Sequence, residues 1–195
     1  MTIAKRGRSL SVSGFLLAGA IGIISSTQTW LTVERADAGE AILVPGASAL
    51  VLLAPLSLAV LALGAALSIA GKAVRLVFAV LAAATALFLG WSTLQLLIAE
   101  PLGAVAATVT EVTGLAGSDA THDVVAQIVP SAWPYIALVG WAILLVASVI
   151  VFATWRGWKA GGRRYRTDGG DVPHEGPVDA VDSWDELSRG TDPTR

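Results

Sequence analysis

Four long apolar runs, separated by short polar segments that hold nearly all the basic residues, leave this chain few folds to adopt. The runs cover about residues 10–31, 45–70, 76–99 and 133–155. Each reaches the roughly 20 residues that an α-helix needs to cross a bilayer's hydrocarbon core. They are continuous rather than alternating and rich in Ala and Leu, which favours helices over the strands of a membrane barrel. Twelve of the 13 Lys and Arg residues lie at Lys5, Arg6 and Arg8, at Lys72 and Arg75, or between Arg156 and Arg195, and Arg35 is the exception. Short basic loops stay in the cytoplasm. The pattern therefore predicts an all-α, integral membrane four-helix bundle with both termini cytoplasmic and the cell membrane as its location. Residues 1–9, 71–75 and 156–195 fall inside, and the loops 32–44 and 100–132 fall outside.

Composition excludes several chemistries. Charged residues make up 14% of the chain against about 25% in an average soluble domain. There is no cysteine, which removes disulfides, thiolate metal sites and cysteine nucleophiles. The two histidines, His122 and His174, are too scattered for a metal site. His122 beside Asp119 and Asp123 reads as a solvated surface histidine. No cofactor is expected. The first run has a basic start like a signal peptide, but it is long and lacks a clear cleavage site, so it reads as a retained helix.

Within the runs, Gly14, Ala18, Gly22 and Ser26 recur every four residues and predict close helix packing, within the chain or in a homo-oligomer. Similar stripes run through Ala62, Ala66 and Ala70, and through Ala82, Ala86 and Gly90. Pro55 predicts a bend in the second run, whereas Pro134 opens the fourth, where proline is tolerated. Trp30, Trp133, Trp155 and Trp158 stand at or near run ends and read as headgroup anchors. Trp91 and Trp141 lie inside runs. With Gln95 they are the candidates for contacting a ligand. In the second outer loop, apolar spacing predicts short helices over 101–113 and 119–129.

Arg156, Lys159, Arg163 and Arg164, mixed with aromatics directly after the last run, suit anionic lipid headgroups better than nucleic acid. The acidic, Gly- and Pro-rich stretch 167–182 reads as disordered. Ser183 and Glu186 then have capping-box spacing. Trp184 and Leu187 fall on one side of the turn, which suggests that the tail docks a membrane or cytoplasmic protein.

The same segment, Trp184-Asp185-Glu186-Leu187-Ser188-Arg189-Gly190-Thr191-Asp192-Pro193-Thr194, resembles the C-terminal motif of the tryptophan-operon-associated membrane protein family of high-GC Gram-positive bacteria. Arg164-Tyr165, Trp30 and Trp133-Pro134 fit the same pattern. Within the motif, Trp184, Leu187, Arg189 and Asp192 are the candidate docking residues. The resemblance implies a four-span protein encoded among tryptophan biosynthesis genes and carries no catalytic residues to this chain. No ionisable residue lies within a run, and no nucleophile–base pair, phosphate loop or paired carboxylate is present. The expectation is a non-enzymatic accessory or regulatory membrane protein, and the alternative is a small oligomeric exporter of an aromatic metabolite.

Overall fold

The computed structural model describes residues 3–37, 39–99, 102–115, 117 and 122–158. Among the described residues, three helices are long and apolar enough to cross a membrane: α1 (Ile3–Thr27) over its segment Gly7–Thr27, α4 (Lys72–Ile98), and α6 (Trp133–Thr154). The run at 45–70, expected as one helix, is divided into α2 (Gly46–Ala49) and α3 (Leu53–Leu67). The fifteen residues of α3 rise only about 22 Å. The run is interrupted at 50–52, just before Pro55, the residue expected to bend it; Pro55 itself is the third residue of α3, within the first turn, where no intrahelical N–H bond is lost.

Helix α1 packs against α3 on one side and α6 on the other, while α4 packs against α6 and touches α3. Phe15, Leu53, Val60 and Leu144 fill the interior and are fully buried. Glycines set the α1–α3 approach. A Cβ on Gly19 would lie 3.0 Å from the Leu61 backbone nitrogen, and one on Gly64 would lie 2.9 Å from the Phe15 Cβ. The outward faces stay apolar, with Leu17, Leu58, Leu87, Phe88, Val139 and Val149 each at least half exposed. So continuous an apolar surface fits lipid, not water. Ser57, Thr93 and Ser148 return their hydroxyls to the carbonyls of Leu53, Leu89 and Leu144 at 2.6–2.8 Å, so these polar groups are satisfied inside their own helices.

The all-α expectation is corrected at one end of the helices. Strand β1 (Thr29–Arg35) pairs antiparallel with both β2 (Ile42–Pro45) and β3 (Val125–Pro130), giving the order β2-β1-β3. Residues 125–129, expected within a helix over 119–129, are therefore part of a strand. Val125, Ile128 and Val129 have helix-like spacing, but pairing with a strand about a hundred positions earlier decides the conformation. Leu31, Val33, Ile42 and Val44 share the buried face, while Thr32, Leu43 and Val129 lie across the other. Helix α5 (Leu102–Thr113), within the stretch expected to be helical, packs against β2 and α2 and buries Val105 and Val109.

Trp30 joins this sheet to the helices. Expected as a headgroup anchor, it is instead fully buried. Its Nε1–H donates to the Ser25 carbonyl and hydroxyl, both at 2.9 Å. Its carbonyl accepts from the Ser131 N–H at 2.8 Å. Position 46 must be glycine, because a Cβ there would stand 2.6 Å from the Trp30 Nε1. Trp30→Phe keeps an aromatic ring but removes the N–H donor and part of the ring volume. The Ser25 carbonyl retains the Gln28 N–H at 3.2 Å, so the lost hydrogen bond costs about 0.5–1.5 kcal/mol, and the vacated volume adds to it. Amide exchange should accelerate in β1 and β3 while the centre of α4 is unchanged. Uniform acceleration across all elements would contradict a local role.

The β1–β2 turn is held by Arg35, whose Nε donates to Asp37 Oδ1 at 2.9 Å, with the Gly39 N–H donating to the same oxygen at 3.0 Å. The Arg35 hydrogen bond, then the Gly39 amide, holds the Asp37 carboxyl below the usual carboxylate range. A depressed folded value means that the turn's stabilisation is present above the unfolded carboxylate range and is lost as pH falls through the folded value. NMR titration of the Asp37 carboxyl should show a midpoint below that of a free aspartate, and a midpoint at the free value would refute the contact.

Candidate functional site

The small residues of α1 pack within the chain. A Cβ on Gly14 would meet the Ala147 Cβ of α6 at 2.7 Å, and Ala18 is fully buried. A Cβ on Gly22 would fall 2.2 Å from the Ser57 hydroxyl and 2.7 Å from the Trp141 ring. Ser26 is buried and donates to the Ile23 carbonyl at 2.7 Å. Gly22 thus seats the tip of the Trp141 indole where α1, α3 and α6 meet.

Of the candidate ligand contacts, Trp141 and Trp91 share a groove of about 260 Å³ between α4 and α6, whereas Gln95 lies exposed outside its lining. Trp141 is 3% exposed and Trp91 is 63% exposed. The Trp141 Nε1 is buried without a partner among the described residues. A second groove of about 370 Å³ runs along α1 and α6 past Leu10, Gly14, Val139 and Val146, and its lining is almost wholly apolar.

At the basic end, the Arg75 guanidinium is buried and lies 5.0 Å from the centre of the Trp158 ring, and it donates to the Trp158 carbonyl at 3.4 Å. Its Nε has no partner among the described residues. Side chains early in a helix point back towards its N-terminus, which brings Arg75 of α4 to the residue that follows α6. Trp158, expected as a headgroup anchor, is 4% exposed and donates to the Thr154 hydroxyl at 3.0 Å. Arg8 of α1 donates to the Ser68 carbonyl at the end of α3. Arg156 is exposed and lies 5.2 Å from the centre of the Trp155 ring, open to a headgroup. The other expected headgroup residues, Lys159, Arg163 and Arg164, lie outside the described residues. So do the docking candidates Trp184, Leu187, Arg189 and Asp192, and the stretch 167–182.

Sequence reasoning missed a hollow at the sheet end. Among the described residues it is lined by Leu102, Gly103, Ala106, Ala107 and Thr110 of α5 and by Gly117 and His122. Its volume is about 470 Å³. The signal was present as small residues at positions 103, 106 and 107, beside the Val105 and Val109 stripe that holds α5 in place. Among the described residues, no group of three or more His, Cys, Asp or Glu side chains is placed to hold a metal.

A family model described as tryptophan-associated transmembrane protein matches residues 12–194. No curated protein and no solved structure matches the chain.

Gly22→Leu should lower the melting temperature of the protein in lipid nanodiscs. Its side chain must displace Ser57 and Trp141, and overpacking of this kind costs about 1–3 kcal/mol. An unchanged melting temperature would show that the α1–α3–α6 junction is looser than its distances indicate.

Proposed function

Since the chain belongs to the tryptophan-associated transmembrane protein family, we propose that it is a multi-pass protein of the cell membrane with four membrane helices and cytoplasmic termini. In this reading it is a non-enzymatic accessory or regulatory component of tryptophan-linked metabolism that docks a protein partner through its C-terminal tail. The observation that carries the reading is the gathering of Arg8, Lys72, Arg75 and Arg156 at one end of the helices, the end from which the tail departs. Basic residues beside apolar helices mark the cytoplasmic side.

The short α3 is compatible with four spans. Gly46 donates to the Gln28 carbonyl at one end of α1, and the Ser68 carbonyl accepts from Arg8 at the other. The segment 46–68 therefore runs beside α1 from position 28 to position 8, an axial distance of about 30 Å, which is the hydrocarbon thickness. Arg75 stands at the helix end and no carboxylate lies along α1, α3, α4 or α6. Ion-coupled carriers place such groups at mid-membrane. The apolar groove along α1 and α6 is the surface proposed for a homo-oligomer.

A small oligomeric exporter of an aromatic metabolite is the second reading. The unpartnered indole N–H of Trp141, bordering the groove that holds Trp91, favours it. Two measurements separate the readings. Crosslinking in native membranes should recover a protein partner with the full chain and lose it when residues 183–195 are deleted. Equal recovery from both chains would sink tail docking. Proteoliposome flux of labelled tryptophan above that of empty vesicles would favour the exporter.

A further inference from the structure

Two tryptophans line the groove between α4 and α6, and neither indole N–H meets an acceptor among the described residues. The groove lies between the stretch 86–94 of α4 and the stretch 138–145 of α6, and every residue of both stretches is described. Trp141 is buried on its inner side, and Trp91 stands exposed at its rim. The Trp141 Nε1 is buried without a partner, and Trp91 makes no hydrogen bond among the described residues. Trp91 stands about 10 Å inside the end of α4 at Ile98. That is deeper than the headgroup level which tryptophans favour, in a zone where an unmet N–H is costly. An indole only donates, so the pair calls for a ligand that brings acceptors. No charged residue lies on α4 beyond Arg75 or anywhere on α6, so that ligand is uncharged. Gly90 leaves room for it, since a Cβ there would touch only the Trp141 Cβ, at 3.8 Å. The groove holds about 260 Å³. That is less than the roughly 300–1,000 Å³ of sites that enclose a whole ligand, and it suits one ring whose apolar tail stays in the bilayer.

From this geometry we propose that the α4–α6 groove binds a lipid-dissolved quinone, an uncharged planar ring with a carbonyl oxygen on each of two opposite sides. The ring lies over Gly90, between the two indoles. One carbonyl accepts from the Trp141 N–H on the inner side, and the other accepts from the Trp91 N–H at the rim. An indole in the same place would instead bring a third donor and no acceptor. This is the groove that favours the exporter reading, but the proposal does not rest on that reading. A quinone enters and leaves through the bilayer, and its binding needs no transport, so either can fail alone.

The test titrates the full-length protein in nanodiscs with menadione, a tail-less naphthoquinone. The chain has no cysteine for the probe to alkylate. The melting temperature should rise and saturate, as it does when a ligand binds only the folded state. Trp91→Leu changes an exposed position, and it should need a several-fold higher menadione concentration for the same rise. Gly90→Leu fills the groove and should abolish the rise. The fold of that variant is checked by its own melting temperature, because replacing a helical glycine favours the helix. No rise in the unsubstituted protein would overturn the proposal. An equal rise in Gly90→Leu would also overturn it, as menadione would then be acting through the lipid. So would an equal response to indole, because the groove would then answer to ring shape and not to carbonyl acceptors.

Discussion

The structure depends first on what happens to the backbone where α1 ends. The last carbonyls of a helix have no partner within it, and an apolar surrounding offers no water to replace one. Here the Ser25 carbonyl takes the Gln28 N–H at 3.2 Å, and the Trp30 indole reaches back to give it a second donor and to bond the Ser25 hydroxyl. The rest of the sheet end follows from that contact. With the indole turned inward, β1 leaves α1 in a fixed direction, and only glycine fits at position 46. The Trp30 carbonyl then receives the Ser131 N–H just before α6 begins. Ser131 also donates its hydroxyl to the Thr29 carbonyl and accepts from the Trp133 N–H. One buried side chain and one serine thus tie together the end of α1, the start of α2 and the start of α6. The β1–β3 pairing extends the same tie, and β2 closes the other edge of β1.

The basic end solves a different problem with the same residue type. Arg75 is buried in the first turn and a half of α4, where the helix dipole disfavours a cation. No carboxylate meets it among the described residues. Its charge is met by the face of the Trp158 ring and by the Trp158 carbonyl. Arg8 is better placed, at the carbonyl end of α3, where the dipole favours a positive charge. The sheet end therefore uses an indole N–H to close a carbonyl, and the basic end uses an indole ring to hold a guanidinium. Both tryptophans are buried, so neither is free to act as a headgroup anchor.

This is where legibility from sequence stopped. The long helices α1, α4 and α6 could be read because continuous apolar length is a local signal. Helix α5 could be read because Val105 and Val109 repeat at helical spacing. The sheet could not, since β1 and β3 lie about a hundred residues apart and each strand is short. Residues 125–130 even carry a helical spacing of apolar side chains, and pairing with β1 overrides it. The break in the second apolar run was legible only in part. Pro55 signals it, because a proline ring disfavours a helical carbonyl four residues earlier, but its place at 50–52 and the short α2 before it were not readable. Among the candidate site residues, Trp91 and Trp141 did come together on one groove, because α4 and α6 are direct neighbours. Gln95 did not: it stands one turn beyond Trp91, exposed and outside the groove's lining. The hollow on α5 went unread because its wall is made of Gly and Ala, which are common throughout this chain and gain meaning only when His122 stands opposite.

The helix interior and the sheet end differ in how closely they are packed. Inside the helices, Gly14, Gly19, Gly22 and Gly64 hold neighbours so close that no Cβ fits without displacing them. Close-packed interiors of this kind move between discrete arrangements or not at all. At the sheet end, α5 is held against β2 and α2, and none of the described residues lies within 4 Å of where a Gly103 Cβ would stand. Any displacement of α5 would bear on β2 and α2, and through them on Trp30 and the end of α1. Helix α1 in turn reaches the basic end at Arg8, so packed contacts along one helix join the two ends.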